Sequence, residues 1–354
     1  MNMKRNSNIE LYRIITMLFI IAHHYVVNSG LTVKNGPIFM DPLNVKSVYL
    51  LVFGAFGKTG INCFVLITGY FMCKKEFKLS RFFKLLFKVL FYNILFYFVF
   101  YATKQYSFTT FFQYVNPFPK ITGNFVTCYL LFVLFIPFIN MLIQSLNQEK
   151  HLYLIFLLIS IYTLLGSIPK YQISYNHIMW YTVIYIIGAY LRLYPNKLLD
   201  SKSFTLLITL IVFIISIMSV IILNYLSVKN NVANMWSFFL SDSNKILCLA
   251  LSVTSFTLFK NINIKYNGLI NKLGGASFGV LLIHGNSSAM RNFLWRVLFK
   301  NVQVYKLGNQ IFLHSVFAVL SIFFVCAAFD ILIYQNLEKI FSRHVNTIIA
   351  KLKE

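Results

Sequence analysis

The chain has 354 residues, 58% of them hydrophobic and only 12% charged, against about 25% charged in an average soluble domain. A mean hydropathy of +0.70 leaves too few charges to cover a water-facing surface, while 15 Gly, 7 Pro and 5 Cys are too sparse for a collagen-like, disordered or disulfide-stapled chain. The formal net charge of +23 does not point to nucleic acid, because the basic residues gather in short loops between long apolar runs, as cytoplasmic loops beside anionic lipid do.

About 20 apolar residues cross the hydrocarbon core of a bilayer. That length divides the chain into ten predicted spans: 9–28, 47–73, 80–103, 125–145, 151–168, 175–194, 203–226, 242–260, 271–291 and 309–336. The expected fold is therefore an all-α, polytopic membrane helix bundle, one transmembrane domain over residues 1–340 with a short basic cytoplasmic tail at 341–354. The first span is not a cleavable leader, since His23 and His24 interrupt its apolar run and no small-x-small site follows. The longest gap, around Tyr106 to Asn124, is too short to fold by itself. Lys and Arg counted loop by loop, with the N-terminus inside, come to 18 cytoplasmic against 11 external, which predicts that both termini are cytoplasmic. Cys63, Cys73, Cys128, Cys248 and Cys326 show no CxxC or Cys/His spacing. They read as packing residues, and no metal is implied.

A titratable side chain at mid-bilayer costs on the order of 3 kcal/mol, so each one needs a reason. The first span carries Glu10, Arg13, His23 and His24. Eleven helical steps from Arg13 to His24 end about 20° past three full turns, which predicts a shared face with a separation of about 16 Å along the axis. His23 falls about 80° from that line, and Glu10 is close enough to Arg13 to pair with it. An imidazole suits base or nucleophilic relay near neutral pH, and a guanidinium suits an anion. The plainer alternative is that Arg13 snorkels to headgroups and His24 bonds a neighbouring helix. His284, in the ninth span, comes to nearly the depth of His24, among the small or polar Ser277, Gly279, Gly285 and Asn286, which suggests a shared polar cavity toward the outer half. Lys58, between Gly57 and Gly60, interrupts the second span and marks a candidate helix break. Arg81 and Lys84 face one way at the start of the third span, where a phosphate-bearing donor would fit and where topology alone also explains basic residues. Asp330 needs a cation, with Arg13 one candidate.

Several strings then resemble acyltransferase family 3, the integral membrane O-acyltransferases of bacterial surface glycans. Residues 5–25 are similar to its opening span, with Arg13, ten residues, then His24; residues 60–71, 79–84, 185–194 and 276–284 resemble its later elements, Arg81 and Lys84 standing as Arg-x-x-Lys where many members have Arg-x-x-Arg. Leu281 stands where a Tyr is common, Gly285 where a polar residue often follows, and the aromatic-Trp pair is missing before Phe125. The resemblance implies acyl transfer, most simply of acetyl, from acetyl-CoA or another acyl-CoA in the cytoplasm to a hydroxyl of a surface or lipid-linked glycan at the bacterial cytoplasmic membrane. Arg13 and His24 would be the essential pair, His284 would orient the acceptor or polarise the carbonyl, and Arg81 and Lys84 would lie near the coenzyme phosphates. The competing reading is a polysaccharide exporter or flippase without transfer chemistry, although the paired halves common in transporters are not visible. Topology is directly measurable: an impermeant thiol reagent on intact cells should label a Cys introduced at Asn35 and spare one at Asn196. The opposite pattern would invert the bundle.

Overall fold

The structure, a computed structural model, describes residues 6–116, 118, 124–169, 171, 173 and 175–339. The expected basic tail at 341–354 lies outside these residues. The described chain is helical throughout, with 76% helix and no strand. Ten principal helices follow one another: α1 Ser7–Val27, α2 Val45–Met72, α3 Leu79–Ala102, α4 Phe125–Gln144, α5 Gln148–Ser167, α6 His177–Leu193, α7 Lys202–Lys229, α8 Ile246–Asn261, α9 Gly268–His284 and α10 Gln310–Lys339. Seven of them, all but α6, α8 and α9, are long and apolar enough to cross a membrane. The three exceptions are helices of 17, 16 and 17 residues, below the usual 20-residue requirement. The chain is thus a helical membrane protein, with seven helices of full spanning length among the described residues.

Short polar side chains decide where several of these helices begin. Asn124, Asn176 and Asn267 accept hydrogen bonds from the backbone N–H of Val126, Ile178 and Ile270 at 2.8 to 3.0 Å, which satisfies donors that the first helical turn leaves orphaned. Hydrogen bonds between elements then sort the helix ends into two sets. At one end, Asn8 of α1 donates to Phe259 O of α8 at 2.8 Å, Asn140 of α4 donates to Met72 O of α2 at 3.2 Å, and Arg192 of α6 donates to Tyr70 of α2 at 3.2 Å. At the other, the C-terminal end of α1 meets the break in α2.

That break runs over Gly54–Phe56 and divides α2 into Val45–Phe53 and Gly57–Met72. Lys58 follows it directly, as the Gly-flanked lysine suggests. An interrupted helix frees carbonyls that lipid cannot satisfy. His23 of α1 meets one of them, its Nδ1 lying 2.7 Å from Gly54 O. Farther along, α2 and α6 approach until backbones touch: a Cβ on Gly69 would come within 2.9 Å of Tyr185 Cα, and one on Gly188 within 2.6 Å of Leu66 O. Small residues permit the close packing that helices in lipid depend on.

Asp330 is fully buried in α10, and its cation is Lys88 of α3 at 2.7 Å rather than Arg13. Tyr92 donates to the same carboxylate oxygen at 2.8 Å, and Gln335 to the other at 3.2 Å. Arg13 is at the wrong place for that role, paired instead with Glu10 at 3.5 Å on its own helix. Removing one member of a buried pair strands the other charge. Asp330→Ala should therefore lower stability in detergent by about 3 kcal/mol, while Asp330→Ala with Lys88→Met should recover much of the loss. Equal melting of the two variants would show that the pair does not tie α3 to α10.

Candidate active site

A cavity of about 600 Å³ opens among the C-terminal ends of α1, α3 and α9, the N-terminal ends of α4 and α6, and the α2 break. That volume lies within the range of small-ligand sites. His24 and His284 both line or border it: His24 is a wall residue, and His284 stands beside it with the ring centroids 5.1 Å apart. The shared depth inferred from helical rise becomes direct apposition.

The approach depends on a missing side chain. Gly285 follows His284 at the end of α9, and a Cβ there would lie 2.8 Å from His24 Cε1. Position 285, where the sequence departs from the pattern it resembles, is where the His24 ring is accommodated. His284 Nδ1 lies 2.6 Å from Val280 O. A carbonyl can only accept, so Nδ1 carries the proton and Nε2 presents its lone pair. Nε2 of His284 and Nδ1 of His24 are buried with no hydrogen-bond partner among the described residues. Bare nitrogens in such a site cost free energy unless a ligand takes them up.

His23 also lines the cavity. The helical wheel separates it from His24 by about 80°, but the wall wraps around the end of α1, so both faces reach it. What distinguishes the two is bonding: His23 is tied to Gly54 O, whereas His24 Nδ1 is bare. Arg13 does not line the cavity, although it shares the His24 face. It sits eleven residues back, about 16 Å along the axis, partly exposed beside Glu10. Arg81 and Lys84 are exposed at the start of α3, and Arg81 lies about 16 Å along that helix from the wall residue Tyr92. The cations expected at the coenzyme phosphates and the imidazoles expected at the chemistry thus occupy opposite ends of the bundle.

Several wall residues carry no motif. Asn286 donates to Asn93 at 2.8 Å and accepts from Asn124 at 3.4 Å, so the body of α3, the start of α4 and the end of α9 share one amide chain. Arg291 donates through Nη1 to Gly285 O, and Lys58 pairs loosely with Asp242 at 3.9 Å. The segment after α3, too short to fold alone, is folded against the bundle through the helix Phe111–Val115 and supplies Gln113 and Tyr114. Burial, then the neighbouring Tyr106, raises the Tyr114 phenol well above its ordinary range, so it remains an uncharged hydrogen-bonding group. Asn93 and His177 were legible only as polar residues in or beside apolar runs.

Residues 6–331 match a family described as an acyltransferase domain. No curated protein and no solved structure matches the chain. Within that chemistry, Gly285→Ala should push the His24 ring out of place and lower acyl transfer by about 10²-fold, the scale of a 1 Å misplacement, at unchanged membrane abundance. Wild-type turnover in this variant would mean that the ring position does not matter.

Proposed function

Because the chain belongs to acyltransferase family 3, we propose that it is a membrane O-acyltransferase that moves an acyl group, most simply acetyl, from acyl-CoA to a hydroxyl of a cell-surface or lipid-linked glycan. Family membership favours transfer over export without chemistry. The observation that carries the finer reading is the pair of apposed imidazoles with bare nitrogens at a cavity large enough for a sugar.

In this reading ten helices span a bacterial cytoplasmic membrane with both termini inside, and the cavity faces outward. The coenzyme phosphates dock at the opposite end, on Arg81 and Lys84, with Arg13 deeper in the bundle. Arg13 suits an anion because its Nε is without a hydrogen-bond partner among the described residues and its charge is permanent. The acceptor hydroxyl meets His24, while a second hydroxyl of the acceptor donates to Nε2 of His284. His24 takes its proton as the oxygen attacks the thioester carbonyl, and the thiolate leaves with coenzyme A. Of the two roles open to His284, orienting the acceptor suits its tautomer, since a lone pair at Nε2 can accept a hydrogen bond from a neighbouring hydroxyl but cannot polarise a carbonyl. The amide chain of Asn93, Asn124 and Asn286 offers the acceptor hydrogen bonds, and Tyr92, Phe96 and Tyr181 line the space around it.

Mass spectrometry of the host's surface glycans tests this. Glycan from cells with the gene should carry the mass of an acetyl group that deletion removes. His24→Ala should behave as the deletion, because loss of a general base costs about 10² to 10⁴ in rate. His23→Ala at equal abundance should keep most of the modification, since its ring serves the α2 break. Full acetylation in His24→Ala would remove the assignment, and intact acetylation with lost surface display in the deletion would favour export.

A further inference from the structure

The cavity's charge pattern is not accounted for by transfer chemistry. Its wall contains two basic side chains, Lys58 and Arg291, and no carboxylate among the described residues. They border the two histidines of α1. Lys58 follows Gly57, against which the His23 ring packs, while Arg291 donates to the carbonyl of Gly285, against which the His24 ring packs. Asp242 offsets Lys58 only in part, at 3.9 Å with both side chains about one-third exposed. One donor of the Arg291 fork is used on Gly285 O, and the guanidinium carries five N–H groups in all. Cations gathered in a low-dielectric cleft repel one another and are retained where an anion completes them.

We infer, on the reading that this cavity receives the acceptor, that the acceptor glycan carries an anionic substituent, a carboxylate or a phosphate, held by Arg291 and Lys58 while its hydroxyl meets His24. A guanidinium fork matches either oxyanion in a bidentate way. The rest of the wall suits the sugar that bears it: Asn93, Asn124 and Asn286 form an amide chain at the cavity, and Tyr92, Phe96 and Tyr181 offer ring faces and edges. The donor's phosphates are the competing anion, but the cations suited to them stand at the other end of the bundle. A neutral acceptor would leave Lys58 with only the loose Asp242 pair and give Arg291 no anion.

Binding to the purified full-length protein in detergent at low ionic strength separates these cases, because attraction between partly exposed charges fades with salt. Methyl glucoside, methyl glucuronide, glucose 1-phosphate and inorganic phosphate serve as probes, with thermal protection as the readout. The glucuronide or the sugar phosphate should protect at concentrations at least ten-fold below the neutral glucoside. That preference should collapse in Arg291→Gln and in Lys58→Gln and persist in Lys229→Gln, a change of equal charge at an exposed site. Lys58→Gln keeps the test intact if loss of the Arg291–Gly285 contact unfolds the other variant. Saturating coenzyme A should leave glucuronide protection unchanged.

Equal protection by the neutral glucoside, or a preference that survives both substitutions, overturns the inference. So does displacement by coenzyme A, or protection by inorganic phosphate at the same concentration as the sugar phosphate, which would mean a site for an anion alone. The readout is binding, so an anionic preference in a protein that transfers no acetyl group would defeat the proposed function while sustaining this inference. Acetylation of neutral glycans without any anionic preference would do the reverse.

Discussion

The bundle is organised around the difficulty of keeping polar groups inside lipid. Hydrocarbon supplies no hydrogen bonds, so each buried polar atom has to find its partner in the protein or be left for a ligand. Helix α1 brings four such residues into the bundle, and the neighbouring helices are shaped around them. Glu10 takes Arg13 on the same helix, and Gly274 of α9 lets that helix close on Glu10. His23 takes the carbonyl released by the α2 break. His24, by contrast, keeps a buried ring nitrogen without a hydrogen-bond partner among the described residues, and it does so at the cavity. The packing of α1 against its neighbours thereby leaves an unmatched imidazole nitrogen at the cavity.

The same constraint explains why helix geometry is irregular near the cavity. The break in α2, the short α6 and α9, and the segment after α3 would each expose backbone if they faced lipid. Here they surround a polar space instead, where non-helical backbone is tolerated. The Asp330–Lys88 pair is the counterpart one turn before Tyr92 on α3. It ties α3 to α10 through a carboxylate that also receives Tyr92, and Tyr92 is part of the cavity wall. Stability of the buried charge and placement of the wall are one problem with one solution.

Separation of the basic end from the imidazole end has a chemical meaning. A soluble thioester donor and a glycan acceptor need not meet in a common solvent if the protein receives them from opposite ends. About 16 Å of helix between Arg81 and Tyr92, and between Arg13 and His24, is a distance for an extended donor arm rather than for direct contact. Under the proposed function, the cations that would hold the coenzyme phosphates and the site of transfer need not be neighbours.

Much of this protein was legible in its sequence because the bilayer restricts the possibilities. Apolar run length implied an all-helical membrane bundle, and the rarity of charge made Arg13, His24, Lys58, His284 and Asp330 stand out. A constant rise of 1.5 Å per residue placed His24 and His284 at one depth and paired Glu10 with Arg13. What the sequence could not decide were relations between helices. Periodicity fixes which face of one helix a residue occupies, but not which neighbour that face meets or where a wall bends around its end. So Arg13 shares the His24 face yet misses the cavity, His23 reaches it from a different face, and Lys88 rather than Arg13 holds Asp330. Asn93, Asn124, Asn286 and Arg291 acquired a role only when separate elements brought them to one cavity. Those contacts depend on packing distances of a few ångströms, set by residues such as Gly285 that carry no chemistry of their own.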